Sequence, residues 1–297
     1  MSRLVLTALY APADRPERFG KALRSGADAV IVDLEDAVVA FRKAEARAAL
    51  TDFAALWEAC GDDAPAVQIR VNAVGSPAHD ADLAAVAELP AAFGVRLPKT
   101  QSADDVAGVL AAVPGREVHA LLESALAIER AFDIACSGVS SIAAGEADLR
   151  AELGVSAGPA GEAGLAWSRS RIVNAAAAAG LESPLMAVFA DIADAAGLEA
   201  SCRTGRGLGF GGRTAVHPRQ LEVIRRVFTP DPDAVARARN IVDRVRAAAA
   251  DGTGAFVLED GTFLDTAMVR AAERVLALAG QEPVTAPGSL PRPAPRS

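Results

Sequence analysis

The stretch from Asp28 to Asp36, DAVIVDLED, joins a run of apolar residues to a group of acidic residues that follows directly. A β-branched run without alternating polar positions is typical of a strand covered on both faces. Seven further short runs share this design and are separated by Ala-, Leu- and Arg-rich stretches with helical spacing. They are LVLTAL from Leu4, AVQIRV from Ala66, FGVRLPK from Phe93, EVHALLE from Glu117, VSSIAAG from Val139, SPLMAVF from Ser183 and GLGFGG from Gly207.

Eight predicted strands, each followed by a predicted helix, indicate an α/β fold of the (β/α)8 type, the TIM barrel. An open, doubly wound sheet fits the alternation less well, because no glycine-rich loop follows the first strand. The chain continues after the eighth predicted strand with segments that a (β/α)8 barrel does not require. They are helical patterns from Pro218 to Phe228 and from Pro232 to Ala250, and a segment from Ala255 to Ala279. We interpret them as a C-terminal helical extension that covers an active site or packs on another subunit.

The predicted boundaries are residues 1–228 for the barrel, 229–280 for the extension and 281–297 for a proline-rich tail. The tail has five prolines and almost no apolar residues. Such a segment cannot offset its ordering entropy by burial, so we expect it to be disordered.

The composition excludes several classes of protein. The 297 residues carry 30 basic and 38 acidic side chains, a net charge of −8, which argues against nucleic acid as a partner. No apolar run reaches the length of about 18 residues that a membrane-spanning helix needs. The N-terminus lacks the cleavage site of a signal peptide. Three widely spaced cysteines indicate reduced thiols, so we expect a cytoplasmic protein.

Charged side chains follow six of the predicted strands at their carboxyl ends, where TIM barrels place their reactive groups. Any one of them is explained by solvation at a loop, but so many neighbouring strand ends are not. In chain order they are Asp33, Glu35 and Asp36; Arg70 with Asn72; Lys99; Glu123; Glu146 with Asp148; and Arg213 with His217.

Glu123 and Asp148 are the candidate metal ligands. They follow neighbouring strands, and two carboxylates with room for water and substrate oxygens are a typical Mg²⁺ site. The alternative is that each acid caps the helix that follows it. Spacing alone leaves both interpretations open.

Arg70 and Lys99 each have two interpretations. The guanidinium of Arg70 matches a carboxylate or enolate oxygen, whereas the alternative is a structural ion pair with a nearby acid. A Schiff base at Lys99 requires a lowered pKa. An ion pair between Lys99 and Glu35 or Asp36 is the favoured interpretation.

Glycines 207, 209 and 212 spell GxGxxG, which suggests either a phosphate-binding loop after the last strand or only a tight turn. The motif comes at the last strand, without a suitably placed acid after it. The three histidines share no metal-ligand spacing, and we expect His119, inside a predicted strand, to belong to the core.

Taken together, these segments resemble the citrate lyase β-subunit-like branch of the HpcH/HpaI aldolase family. The similarity extends from about Leu4 to Gly280, and the number, order and spacing of the motifs make it specific. The motifs are YAPADRPERFGKALRSGADAVIVDLEDAV from Tyr10, then Lys43, Ala46 and Arg47, RVN from Arg70, LPK from Leu97, LLES from Leu121, GEADLRAELG from Gly145, GFGGRTAVHPRQL from Gly209, and GTFLD ending at Asp265.

The resemblance implies a TIM barrel that assembles as a trimer or hexamer and acts on CoA or carrier-protein thioesters with Mg²⁺, or Mn²⁺ as the alternative metal. By position, Glu123 and Asp148 correspond to the metal ligands. Glu35 and Asp36 correspond to residues that orient Lys99 and the metal's water molecules.

The resemblance also assigns roles in catalysis and CoA binding. Arg70 corresponds to the residue that holds the thioester carbonyl and its enolate. Asp265 corresponds to an acid/base aspartate that the C-terminal segment supplies to a neighbouring subunit. Arg18, Lys21 and the loop around Arg213 are expected toward the CoA phosphates.

The implied activity is reversible carbon–carbon cleavage of a 3-hydroxyacyl thioester such as malyl-, methylmalyl- or citramalyl-CoA. Three other activities fit the same site: hydrolysis of the thioester, a 2-oxo-acid aldolase without CoA, for which Arg18, Lys21 and Arg213 would have no phosphates to bind, and a citrate lyase subunit with an acyl carrier protein. A catalytically silent barrel that serves as a binding subunit is the alternative outside enzymes.

Overall fold

The computed structural model describes residues 4–156, 158–250, 256–257, 263–264 and 266–280. Within them, eight parallel strands form a nearly closed barrel, which confirms the predicted TIM barrel fold. The ladder order is β6-β5-β4-β3-β2-β1-β8-β7, and β6 and β7 lie side by side at its two ends without a described ladder between them. The strands are β1 (Thr7–Pro12), β2 (Ala29–Asp33), β3 (Ala66–Arg70), β4 (Phe93–Leu97), β5 (Val118–Leu122), β6 (Ser141–Ala144), β7 (Leu185–Met186) and β8 (Gly212–Ala215).

Helices follow the strands, and their ends carry the expected signals. Ser102 caps α5 and forms a reciprocal capping box with Asp105. The helices are α1 (Phe19–Leu23), α2 (Lys43–Ala48), α3 (Leu50–Glu58), α4 (His79–Ala87), α5 (Ala103–Ala112), α6 (Ala125–Glu129), α7 (Ala131–Ala135), α8 (Glu146–Glu152), α9 (Pro159–Gly164), α10 (Ala166–Ala178), α11 (Ala195–Leu208), α12 (Arg219–Phe228), α13 (Pro232–Ala250) and α14 (Thr266–Leu278). Single 3-10 turns cover Pro16–Arg18, Ala40–Arg42 and Gly61–Asp63.

The barrel is packed on both faces of its strands. All five residues of β2 are buried, as its continuous apolar sequence predicts. Inside the barrel, Ala8, Ala29 and Ile31 form a small core against which Tyr10 packs.

The eighth strand differs from its prediction. The run GLGFGG is not a strand, because Gly207 and Leu208 belong to the last turn of α11. Gly209 ends that helix with a left-handed backbone (φ 101°), a conformation that glycine adopts without a steric penalty. Strand β8 begins only at Gly212, so the glycine-rich segment is a helix end followed by a turn.

The helix α12 also differs from its prediction. It is not surplus to the barrel, because it packs on β8, β1 and α11 and completes the eighth βα unit. The described chain divides into two compact units between Phe228 and Thr229. The first unit is the barrel, and α12 is its last element.

The second unit contains α13, α14 and a short antiparallel pair, β9 (Phe256–Val257) and β10 (Phe263–Leu264). The two helices pack through buried Ala238, Val242 and Leu276. Asp265 and the tail 281–297 lie outside the described residues. In the described part of the chain, no helix has the length and apolar character needed to span a membrane.

Candidate active site

A cavity of about 760 Å³ opens at the carboxyl ends of the barrel strands. It brings six of the ten predicted site residues together: Arg18, Lys21, Asp36, Arg70, Glu123 and Asp148. Glu35 and Lys99 line a neighbouring cavity of about 370 Å³, which also reaches Asp36. Arg213 lines neither cavity, and Asp265 lies outside the described residues.

Arg70, the last residue of β3, is held by acids from the end of β2. Its Nε donates to Asp33 Oδ1 at 2.8 Å, and its Nη2 lies 2.5 Å from Asp33 Oδ2. Its Nη1 lies 2.9 Å from Glu35 Oε2 and 3.3 Å from Asp36 Oδ2. The guanidinium also stacks over the ring of Tyr10, 4.9 Å from its centroid. Arg70 is therefore both ion-paired and exposed to the cavity, which gives the cavity a fixed cation.

Glu123 follows β5 and is buried. Its Oε2 accepts the backbone N–H of Lys99 at 2.8 Å. Burial, and secondly the negative charge of Glu35, raises the pKa of Glu123 to about 7. Its other oxygen, Oε1, faces Gly145, where a methyl group would overlap the carboxylate. The carboxylate is therefore enclosed on one side by backbone and open to the cavity on the other.

The alternative role of helix capping is wrong for Glu123. The helix after β5 is capped by Ser124, whose hydroxyl accepts the N–H of Ala127. Asp148 lies in the first turn of α8, where an acid is favourable, but it makes no described capping hydrogen bond. Its side chain is 49% exposed.

Lys99 connects the acids of three strand ends. Its Nζ lies 2.7 Å from Glu35 Oε1, 3.7 Å from Asp36 Oδ1 and 3.8 Å from Asp148 Oδ2. The hydrogen bond to Glu35 raises the pKa of Lys99 above its ordinary value, which is the opposite of what a Schiff-base lysine needs. Its backbone is left-handed (φ 51°), and its N–H donates to Glu123 Oε2. The ion-pair interpretation therefore describes Lys99.

Lys43 and Asn72 fix the loop that carries Glu35 and Asp36. The Nζ of Lys43 donates to the carbonyl oxygens of Leu34 and Glu35 at 2.7 and 2.8 Å and to Asn72 Oδ1 at 2.6 Å. Because the ammonium group of Lys43 binds the backbone carbonyl groups of this loop, it fixes the backbone that carries Glu35 and Asp36.

Arg18 and Lys21 are exposed and line the cavity from the segment that follows β1. They belong to the 3-10 turn Pro16–Arg18 and to α1. Their exposed cationic side chains therefore belong to the cavity lining, and their contact with CoA phosphates stays a prediction.

Arg213 does not lie with them. It is 2% exposed, and its Nη1 donates to Ser201 Oγ at 2.9 Å. Its guanidinium stacks on Phe189, 5.4 Å from the ring centroid, and lies 3.7 Å from Cys202 Sγ. This position between β8 and α11 keeps the guanidinium of Arg213 out of the cavity lining, whereas Thr214, Val216 and His217 of the same segment belong to it.

The sequence placed Asp33 at a strand end but did not predict it as the bidentate partner of Arg70, and it did not single out Arg96, which lines the cavity. A signal existed for Arg96, since a charged residue inside an apolar strand is unusual. His119 is buried, as expected, and its Nδ1 is 2.9 Å from Ser141 Oγ.

Among the described residues, no group of three or more His, Cys, Asp and Glu side chains has the arrangement of a metal site. Glu123 and Asp148 are two carboxylates at one cavity, so a metal there would complete its shell with water or substrate oxygens. This donor set suits Mg²⁺, which usually keeps several water ligands and one or two carboxylates. The buried, acid-flanked carboxylate of Glu123 also fits a cation, because a cation would offset its desolvation.

An eight-stranded barrel with carboxylates, a fixed arginine and exposed cations around one cavity defines a TIM-barrel protein with the polar residues of an active site. The chain belongs to the HpcH/HpaI aldolase/citrate lyase family, whose sequence model matches residues 6–218.

Three relatives match nearly the whole chain. A citrate lyase subunit beta-like protein of Mycobacterium tuberculosis is 37% identical over 278 residues, which is 92% of this chain and 95% of the relative. A (3S)-malyl-CoA thioesterase of Cereibacter sphaeroides is 34% identical and covers 92% of this chain and 94% of its own. An L-malyl-CoA/beta-methylmalyl-CoA lyase of Rhodobacter capsulatus is 29% identical and covers 93% and 94%.

The solved structures show the same fold. The crystal structure of CitE from Mycobacterium tuberculosis, in complex with magnesium, acetoacetate and coenzyme A, matches with a TM-score of 0.75. It is 34% identical, and the match covers 94% of this chain and 99% of CitE.

Proposed function

We propose that the protein is a Mg²⁺-dependent carbon–carbon lyase that cleaves or forms a 3-hydroxyacyl-CoA ester, such as malyl-, methylmalyl- or citramalyl-CoA. Its products would be a 2-oxo acid and acetyl- or propionyl-CoA. The observation that carries the proposal is that Glu123, Asp148 and Arg70 line one cavity. The magnesium and coenzyme A of the CitE structure and the name of the malyl-CoA lyase relative support it.

Glu123 and Asp148 would hold the metal. When bound there, Mg²⁺ supplies Lewis-acid polarisation of the substrate oxygen that becomes the carbonyl of the 2-oxo acid. Glu35 and Asp36 keep Lys99 beside these carboxylates, so the ammonium group limits the negative charge that accumulates at the site.

Arg70 would stabilise the enolate. Breaking the C–C bond leaves negative charge on the thioester oxygen, and a positioned donor lowers the barrier by meeting that charge as it develops. Asp33, Glu35, Asp36 and the ring of Tyr10 already fix the guanidinium, so little reorganisation is needed when the charge appears.

Asp265 would exchange the proton at the enolate carbon, protonating it after cleavage or removing a methyl proton in condensation. In this proposal the extension 229–280 of one subunit delivers Asp265 to the cavity of its neighbour in a homo-oligomer. Arg18 and Lys21 would meet the CoA phosphates at the cavity mouth.

Hydrolysis of malyl-CoA is the second candidate. It is favoured by one comparison, since the thioesterase relative is 34% identical and the lyase relative 29%. The two reactions differ in the bond that breaks, because hydrolysis releases free CoA thiol and leaves the hydroxy acid intact.

The test is an assay of purified protein with Mg²⁺ and malyl-, methylmalyl- and citramalyl-CoA in parallel, with the 2-oxo acid and the free thiol followed separately. We expect a 2-oxo acid with the acetyl- or propionyl-CoA intact. Free thiol without 2-oxo acid would replace the lyase proposal by the thioesterase. Activity on an acyl-carrier-protein thioester alone would identify a citrate lyase subunit, and cleavage without any CoA group would identify a 2-oxo-acid aldolase.

Replacing Asp265 by Asn tests the proposed proton donor. We expect turnover to fall at least about 100-fold, the usual lower bound for general acid–base catalysis, while CoA-ester binding stays unchanged. Normal turnover by Asp265→Asn would show that another group exchanges the proton.

A further inference from the structure

The turn that carries Asp148, at the start of α8, is anchored by two of its neighbours. The N–H of Gly145 donates to the carbonyl oxygen of Leu122 at the end of β5. The carboxylate of Glu146 accepts two hydrogen bonds from Arg169 of α10, from Nε at 2.7 Å and from Nη2 at 2.5 Å. Glu146 lines the large cavity and Arg169 does not, so the pair connects the cavity lining to a residue outside it.

Arg169 is a buried cation with two carboxylate partners. Its side chain is 5% exposed and that of Glu146 12%, so the pair is little screened by solvent. Its Nη2 also lies 2.8 Å from Glu162 Oε2 of α9, and the other oxygen of Glu162 lies 2.6 Å from Arg150 Nη2 of α8. These charges connect α8, α9 and α10, which come between β6 and β7 in the chain. Because no described ladder joins those two strands, side-chain contacts hold this part of the barrel together.

The two proposed metal ligands are held in different ways. Glu123 is buried, and its Oε2 accepts the backbone N–H of Lys99. The side chain of Asp148 is 49% exposed, and its one described partner is the ammonium group of Lys99, at 3.8 Å. The position of Asp148 therefore depends on the backbone of the first turn of α8. The two parallel hydrogen bonds between Arg169 and Glu146 fix that turn in direction as well as in distance.

We propose that Arg169 is a positioning residue for the metal site. By binding Glu146, it holds the first turn of α8 and thereby keeps Asp148 beside Glu123. The inference rests on the proposed function only through the metal, because it requires Mg²⁺ at these two carboxylates and no particular acyl group. Groups that orient metal ligands without touching the metal typically change its affinity about 10- to 100-fold when they are replaced.

Calorimetric titration of the purified protein with Mg²⁺ tests this proposal without any turnover. Arg169→Gln and Glu146→Gln break the same pair with opposite changes in charge. Positioning predicts that both variants bind Mg²⁺ about 10- to 100-fold more weakly than wild-type protein. An effect of charge alone predicts tighter binding by Arg169→Gln, because that change leaves an unpaired carboxylate in the cavity lining. The double variant should be no weaker than the single variants, since both changes remove one interaction.

Two further variants sharpen the test. Arg169→Lys keeps the charge without the fork, so it should lose part of the affinity although the net charge is unchanged. It carries the test should Arg169→Gln fail to fold. Arg171→Gln is the matched control, because Arg171 also anchors α10, through a hydrogen bond of 3.0 Å from its Nη2 to the carbonyl oxygen of Glu129. Its Mg²⁺ affinity should equal that of wild-type protein.

Unchanged or tighter Mg²⁺ binding by Arg169→Gln or Arg169→Lys would overturn the proposal. So would an equal loss in Arg171→Gln, which would point to α10 as a whole. Weaker Mg²⁺ binding by both Arg169→Gln and Glu146→Gln, in a protein that cleaves no CoA ester, would retain the positioning role and refute the lyase. Cleavage of a CoA ester by a protein whose Mg²⁺ affinity responds to neither change would do the reverse.

Discussion

The two sides of the barrel differ in how their strand ends are used. The ends of β2, β3, β5 and β6 supply Asp33, Asp36, Arg70, Glu123 and Asp148 to one cavity. Of the two residues predicted at the end of β8, His217 lines that cavity, but Arg213 is turned away from it and packs against α11. A charged residue at the end of a parallel strand therefore predicts a site only where the strand's alternation points its side chain inward.

The largest expected effect concerns Glu123. Glu123→Gln removes a proposed ligand, so we expect Mg²⁺-dependent activity to fall more than about 100-fold, beyond the range typical of changes around a metal's outer shell. The rise in melting temperature caused by Mg²⁺ should also disappear. Glu129→Gln, the same change on an exposed residue at the end of α6, is the matched control. An undiminished Mg²⁺ response in Glu123→Gln would place the metal elsewhere.

Two glycines provide the next comparison. Gly145→Ala places a methyl group against the Glu123 carboxylate, so we expect about a 10- to 100-fold loss of Mg²⁺ affinity. Gly207→Ala, in α11 with open space around it, should leave ligand binding unchanged and stabilise the helix by about 0.5–1 kcal/mol. Titration of Mg²⁺ and denaturant unfolding of both variants measure this. Impaired CoA-ester binding in Gly207→Ala would restore the phosphate-loop interpretation.

Substitutions of the two arginines that were predicted to bind CoA should affect different quantities, KM for Arg18 and the free energy of unfolding for Arg213. Arg18→Gln should raise the KM for the CoA ester about two- to fivefold, as for an exposed ion pair, with stability unchanged. Arg213→Met should lower the free energy of unfolding by about 1–3 kcal/mol, because it removes a buried donor from Ser201, and leave KM unchanged. Kinetics and unfolding curves on both variants test this. A raised KM in a stable Arg213→Met protein would contradict the assignment.

The smallest effect concerns the interior of β5. Burial lowers the pKa of His119 below its ordinary value, despite the hydrogen bond and charge of Glu117. In the unfolded chain His119 therefore takes up a proton near pH 6.5, whereas in the folded barrel it stays neutral to a lower pH. Stability is lost as the pH falls below about 6.5. The loss should be at most about 1.4 kcal/mol per pH unit and absent in His119→Gln. The free energy of unfolding of both proteins, measured between pH 8 and pH 5, tests this prediction. The same pH dependence in wild-type protein and His119→Gln would refute it.

Much of this architecture follows from the sequence because β1 to β6 are mostly apolar runs between clear helical patterns. The strand-end rule then placed Arg70, Glu123 and Asp148 correctly at one end of the barrel. The prediction was wrong at β8, because the glycine-rich segment assigned to this strand is the end of α11 followed by a turn. It also missed Arg96, because the partners of an interior side chain depend on the register between strands, which local sequence does not contain.

The ring of strands is continuous from β7 through β1 to β6 and interrupted between β6 and β7. Glu123 follows β5, which has ladder partners on both sides, whereas Asp148 follows β6, which has one. Local opening costs least where the backbone is held on one side only, so amide hydrogen exchange should be faster at β6 than at β5. A cation shared by these two carboxylates would thus be held by two strand ends of unequal local stability.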